Sequence, residues 1–229
     1  MKVYFAGISG HKKRLEYLKE LGADKLMLTF AEVKSYNQNM SRFKKGNFDI
    51  LFDSGAFSLW RRGISIDIQE YCKYLTTHSI EKYIVLDKIG SHAETMVNQK
   101  IMEDYGMNPI PVYHLNSPIE NLYEICEKYS YVCLGGTVGS NVSVRLKFFT
   151  EVFQHFPNHK FHGLGLTDMR IVSKFPFYSV DSTTWLCAAK TGNILDGDGK
   201  QYHAPPEMEL KERFSNTIGF FVKLENKNR

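Results

Sequence analysis

The sequence predicts a single α/β domain built as a (β/α)8, TIM-like barrel, and three observations predict it. Short β-branched or aromatic runs alternate with amphipathic helical stretches. Eight such runs occur, at 2–7, 25–30, 49–53, 82–87, 109–114, 131–135, 160–165 and 177–181. Three of them lead straight into an aspartate. Alternating strands and helices imply a mostly parallel sheet. Eight strands in one domain favour a closed barrel over an open doubly wound sheet, the other architecture the pattern allows.

The helical stretches follow from spacing. Residues 12–21 put Leu15, Leu18 and Leu21 on one face, and 67–75 do the same with Ile68, Tyr71 and Leu75. Segments 93–105, 118–129 and 142–156 repeat the pattern. Pro118 after Ser117 reads as a helix start, with proline in the first turn and serine as cap. Two stretches break the alternation. Residues 34–47 are polar and basic, and 192–206 are rich in turn formers. Both read as long connections, which in compact domains are often functional.

The bulk properties set the frame. All 229 residues fit one domain, 1–229, with 43% hydrophobic and 24% charged residues, a globular rather than a disordered composition. No apolar run reaches the roughly 20 residues that span a bilayer, so no membrane association is expected. The first ten residues read as a strand, not a signal peptide, and the expected location is the cytoplasm. Cys72, Cys126, Cys133 and Cys187 form no CxxC pair and have no histidine at zinc-ligand spacing, so they are expected to be reduced and structural. A net charge of +4 is a mild bias towards polyanions and no more.

The chemistry points to the strand ends. Asp53, Asp87 and Asp181 each end an apolar run. In a parallel barrel all strand C-termini share one face, where the loops build the active site. Three carboxylates far apart in sequence are therefore expected to converge. Glycines at the same face, Gly55, Gly135, Gly136 and the pair Gly163 and Gly165, would let backbone groups approach a ligand closely. Phe57, Tyr113 and Trp185 are candidates to stack on a planar ligand, and His114 is a candidate donor. Separated carboxylates suit chemistry at a sugar carbon, one as nucleophile and one as acid–base. The pattern serves a metal held by Asp53, Asp87 and His114 equally well.

A family resemblance adds to this. The segment Asp53-Ser54-Gly55-Ala56-Phe57-Ser58 resembles a motif of the tRNA-guanine transglycosylases, and Gly135-Gly136-Thr137 resembles that family's base-binding glycine segment. Asp181 and Asp87 fall in the family's order of nucleophile and base reader. The resemblance implies that Asp181 attacks C1′ of a guanosine nucleotide while Asp53 acts as acid–base partner. Ser54, Gly55, Phe57, Asp87, His114, Gly135, Gly136 and Thr137 would then bind the base. The family's zinc ligands are not matched, since only Cys187 and His203 lie in that region, so no metal and no cofactor are expected. The short chain is most similar to the compact DNA-modifying branch. That implies DNA as partner, with tRNA as alternative, and a free 7-deazaguanine as incoming base. A third possibility is a barrel that binds nucleic acid or a purine without chemistry. Arg61, Arg62, Lys88, Arg42, Lys44 and Lys45 are the candidate phosphate contacts. The sequence leaves the oligomeric state open.

Overall fold

The computed structural model describes residues 1–8, 12–32, 43 and 45–227. Seven strands, β1 (Lys2–Ala6), β2 (Lys25–Thr29), β3 (Asp49–Asp53), β4 (Val112–His114), β5 (Tyr131–Gly135), β6 (Lys160–Gly163) and β7 (Ser179–Ser182), form one sheet. Their order is β3-β2-β1-β7-β6-β5-β4, and every pair is parallel. The eighth run completes the circle. Segment 82–87 lies between the two edge strands and bridges Phe52 to Tyr83 on one side and Ile84 to Ile110 on the other. The chain is a (β/α)8-type barrel, and all eight expected runs line it.

Helices alternate with the strands: α1 (Lys12–Glu20), α2 (Ala56–Trp60), α3 (Ile68–Thr77), α4 (His92–Asp104), α5 (Ile119–Lys128), α6 (Val142–His155), α7 (Met169–Val172), α8 (Cys187–Lys190) and α9 (Leu210–Lys227). Their starts follow local chemistry. Asp67 accepts from the Gln69 and Glu70 N–H groups at 2.8 and 3.0 Å and so caps α3. Ser91 caps α4 through the Glu94 N–H. The expected serine cap at 117 does not form. Pro118 itself takes the cap position, without a side-chain bond, while the Ser117 N–H turns back to the His114 carbonyl. The 192–206 stretch is also more ordered than a long loop, because β8 (Asn193–Leu195) and β9 (Gln201–His203) pair as an antiparallel hairpin. Of the 34–47 connection, Phe43 is buried and Lys45 is exposed. Arg42 and Lys44 lie outside the described residues.

The core lies between the barrel and its helices. Phe52 on β3 stacks on Tyr71 and Tyr74 of α3, with ring centroids 6.4 and 5.6 Å apart. Tyr113 on β4 stacks on Phe148 of α6 at 5.8 Å and donates its hydroxyl to the Ser117 carbonyl. Trp185 is fully buried against Phe5 and Phe214, and its indole N–H reaches the Ala6 carbonyl at 2.8 Å. Tyr113 and Trp185 are thus packing residues, not stacking partners for a ligand. Burying rings of this size contributes about 2–3 kcal/mol each. Helix α9 completes the layer with Phe214, Ile218 and Phe221, spaced on one stripe and fully or nearly fully buried. Glu225 near its end pairs with Lys25 at 2.7 Å, beneath β2. All four cysteines are free.

The closing seam depends on few bonds. The Phe52 N–H donates to the Lys82 carbonyl and the Ile84 N–H to the Phe52 carbonyl, at 3.0 and 2.9 Å. The Val85 N–H donates to Ile110 and the Ile110 N–H to Tyr83, at 3.0 and 2.9 Å. Side chains brace it from outside: Tyr71 donates to the Ile84 carbonyl at 2.8 Å, and Asn98 to the Leu86 carbonyl at 2.7 Å. Replacing Tyr71 with Phe keeps the ring and removes one brace, at an expected cost of about 1–2 kcal/mol. Denaturant unfolding measures that cost. Amide exchange should quicken at Ile84 and Val85 more than in β5; equal protection at both places would show the brace to be irrelevant to the seam.

Candidate active site

The parallel register delivers what the strand ends require. Thr29 pairs with Asp53 across β2 and β3, His114 with Gly135 across β4 and β5, and Tyr4 with Asp181 across β1 and β7. Asp53, Asp87 and Asp181 therefore meet at one mouth. Their fields overlap: the Asp53 carboxyl feels both Asp87 and Asp181. Beneath them, the fully buried Cys133 thiol is pushed well above its ordinary range, by burial first and then by the same three carboxylates.

Each carboxylate is held differently. Asp87 accepts from the Ser54 hydroxyl at 3.2 Å and lies 3.1 Å from His114 Nε2. Asp181 accepts from the Gly165 N–H at 2.6 Å and lies 3.3 Å from His162 Nε2. Asp53 accepts from the Gly55 N–H at 2.9 Å. That support does not offset its surroundings. Burial first, then Asp87 and Asp181, raises the Asp53 carboxyl to about 7.

The turn after β3 explains why Gly55 is needed. Its φ is +74°, and a Cβ there would lie 2.2 Å from Thr29 Oγ1 and 2.5 Å from Ala31 Cβ. Gly135 is close packing of another kind, since a Cβ would crowd the His114 ring and Val112 at 3.2 Å. Thr137 is buried beyond it and Gly136 is exposed. His114 Nδ1 is buried without a hydrogen-bond partner among the described residues.

The structure brings together Asp53, Ser54, Gly55, Asp87, His114 and Asp181, with Gly135, Gly136 and Thr137 on the adjoining turn. Phe57 sits on α2, half-buried, and stacks on the exposed Trp60 at 6.2 Å. Arg61 and Arg62 are exposed at the end of that helix, and the Arg61 guanidinium lies 6.0 Å from the Phe57 ring centre. These three residues, with Ser58, line a shallow cavity of about 320 Å³. Lys88 follows Asp87, and both line a smaller one of about 100 Å³. Among the described residues, Arg61 and Arg62 therefore lie on one short segment and Lys88 on another. Among the described residues no three His, Cys, Asp or Glu side chains are arranged to hold a metal. Asp87 and His114 are bonded to each other, while Asp53 bonds the Gly55 N–H instead. A cavity of about 790 Å³ lies between α7, the hairpin and α9, away from these groups. The converging carboxylates, not cavity size, mark the site.

One participant was not singled out in the sequence, and one of the expected glycines takes a definite role beside it. His162, the third residue of β6, is fully buried and bonds Asp181 on one side and Ser179 Oγ on the other, at 2.7 Å. Gly165, at φ +60°, turns its N–H onto Asp181. The available signal was a histidine at an inward position of a strand, two residues before the glycine turn.

Comparison with known proteins establishes the fold. No protein-family model matches the chain, and no curated protein does. Solved structures do. A protein of Aquifex aeolicus VF5 matches at 12% identity and TM-score 0.59, over 97% of this chain and 93% of that one. Two mutant tryptophan synthase α-subunits of Pyrococcus furiosus match at 11% and 12% identity, each with TM-score 0.57 over 96% of both chains. Tryptophan synthase α-subunits are therefore among the structures this chain is similar to. That overturns the expected replacement of guanine in DNA by a 7-deazaguanine. The physical reason is that strand-end carboxylates and tight glycine turns are what a barrel mouth offers to many chemistries, so short motifs in barrel order do not specify one. At this identity the likeness is one of fold.

The raised Asp53 carboxyl has a thermodynamic consequence. Its folded value, about 7, lies above the unfolded value of about 3.9. Its protonation therefore stabilises the fold fully below pH 4, and that stability is lost as pH rises to 7. Asp53→Asn mimics the protonated form and keeps an acceptor for Gly55. It should match the wild type in stability near pH 4 and exceed it at pH 8 by on the order of 2 kcal/mol. Denaturant titrations at the two pH values decide; a variant less stable than wild type at pH 8 would sink the shift.

Proposed function

We infer that this chain is an enzyme that moves protons on a small polar substrate bearing N–H donors, held at the carboxylate mouth of the barrel. The observation that carries this reading is the Asp53 carboxyl, raised to about 7 beside two further carboxylates. A group that titrates near neutral pH can both take and return a proton. Perturbed carboxyls at a barrel mouth mark catalytic sites more often than structural ones.

The roles follow from the hydrogen bonds. Asp53 exchanges the proton, because it is the least buried of the three carboxylates by surface exposure and has the raised value. Asp181, fixed by the Gly165 N–H and His162, faces the substrate as an acceptor and stabilises positive charge that develops there. Asp87, oriented by Ser54 and His114, binds a donor edge. The buried His114 nitrogen without a partner offers a further polar contact. Substrates that suit such a site carry amide, amidine or ring N–H groups and little negative charge.

The test is binding with proton accounting. A panel of amides, amidines and nitrogen heterocycles is screened by thermal shift, and those that bind are titrated calorimetrically in two buffers of different ionisation enthalpy. Binding should be accompanied by proton exchange with the buffer at pH 7. Asp53→Asn should remove that exchange, and Asp87→Asn should weaken binding at least tenfold. Binding indifferent to both substitutions would overturn the reading, as would a panel in which nothing binds.

A further inference from the structure

A column of polar groups runs through the barrel interior below Asp181. Asp181 Oδ1 lies 3.3 Å from His162 Nε2. His162 Nδ1 lies 2.7 Å from Ser179 Oγ, and Ser179 Oγ lies 2.6 Å from the Tyr131 hydroxyl. His162 and Ser179 are fully buried. Tyr131 is partly exposed and borders a cavity of about 430 Å³ at the opposite end of the barrel, shared with Tyr4, Lys82, Lys160 and Tyr178. The two ends of the column thus reach the two ends of the barrel.

Barrel interiors are ordinarily filled by Val, Ile and Leu. Burying a hydroxyl or an imidazole costs about 1–3 kcal/mol unless it is bonded, and bonding returns it only to near balance. An apolar layer would serve stability as well. Continuity from end to end is what an apolar layer lacks.

We propose that Tyr131, Ser179 and His162 form a proton relay connecting Asp181 with solvent at the floor of the barrel. The inference rests on the acid–base reading of the mouth. In the resting arrangement Tyr131 donates to Ser179, Ser179 donates to His162 Nδ1, and His162 Nε2–H donates to Asp181. To protonate Asp181, His162 gives up its Nε2 proton, Nδ1 takes that of Ser179, Ser179 takes that of Tyr131, and Tyr131 takes one from a hydronium ion at the floor, which leaves as water. One proton enters, one arrives, no atom of the chain keeps a charge, and His162 ends in its other tautomer. Burial holds the Tyr131 hydroxyl far above the ordinary phenol range, so it relays as a hydroxyl and not as a phenolate. The relay lets the mouth exchange protons while a substrate covers it.

Nitrogen-15 NMR of the histidine rings tests this. In the wild type the His162 proton should reside on Nε2; a ring protonated only on Nδ1 overturns the relay without any variant being made. Exchange of that ring proton with solvent should slow at least tenfold in Tyr131→Phe and in Ser179→Ala. Tyr178→Phe, which removes a floor hydroxyl outside the column, should leave it unchanged. Wild-type exchange rates in both column variants would also overturn the relay. The Asp53 titration is read on the same samples. An ordinary Asp53 value with relay behaviour intact removes the acid–base reading alone, and a raised value with unaltered exchange removes the relay alone.

Discussion

Closure of the barrel at segment 82–87 is the constraint on which the rest depends. This run lacks the extended ladder of its neighbours and is joined by one bridge on each side. Yet both ends of the barrel use it. At the floor, Lys82 pairs with Asp49 and reaches the Tyr4 hydroxyl at 3.2 Å. At the rim, it delivers Asp87 to Ser54 and His114. Because so few backbone bonds hold it, the segment relies on side chains from the helical layer. Tyr71 and Asn98 bond its carbonyls, and Gln99 bonds the Pro109 carbonyl beside it at 3.0 Å. A buried carbonyl left without such a partner costs about as much as a lost hydrogen bond, so these polar residues of α3 and α4 are as much part of closure as the strands.

Closure brings like charges together, and the donors around them decide which carboxyl absorbs the repulsion. Asp87 has a hydroxyl and an imidazole, and Asp181 has an N–H and an imidazole. Asp53 has backbone N–H groups only, from Gly55 and Ser54. The least supported group is the one pushed to about 7. The assignment of roles is therefore a consequence of donor placement.

The barrel was legible because its signals are periodic. Eight runs ending near a turn, several in aspartate, survive errors of a few residues at each boundary. Helix α9 was not read, although Phe214, Ile218 and Phe221 make a clear stripe: Gly219 in its middle and the adjoining apolar run 220–222 blur the period. Among site residues, the carboxylates stood out because charge at the end of an apolar run is costly unless used. His162 did not, since a single histidine in a strand carries no pattern. Its importance comes from Ser179 and Asp181, two strand positions on β7 that only the parallel register sets beside it. Tyr113 and Trp185 erred in the other direction. Aromatic residues near strand ends look like ligand platforms, but strand alternation turns Tyr113 towards α6, and the short 3-10 turn after β7 puts Trp185 under α9.

The same distinction explains why the fold comparisons and the site point to different levels of description. Backbone likeness at 11–12% identity is set by closure, strand number and the packing of helices outside, and those are satisfied by many sequences. The inward-facing residues are under no such common demand. Here they place Asp53 and Asp181 above His162, Ser179 and Tyr131, with Cys133 level with His162. A packed apolar interior isolates the mouth of a barrel from its floor. Polar groups bonded end to end join the two, and this is the feature of the barrel interior on which the proposed relay rests.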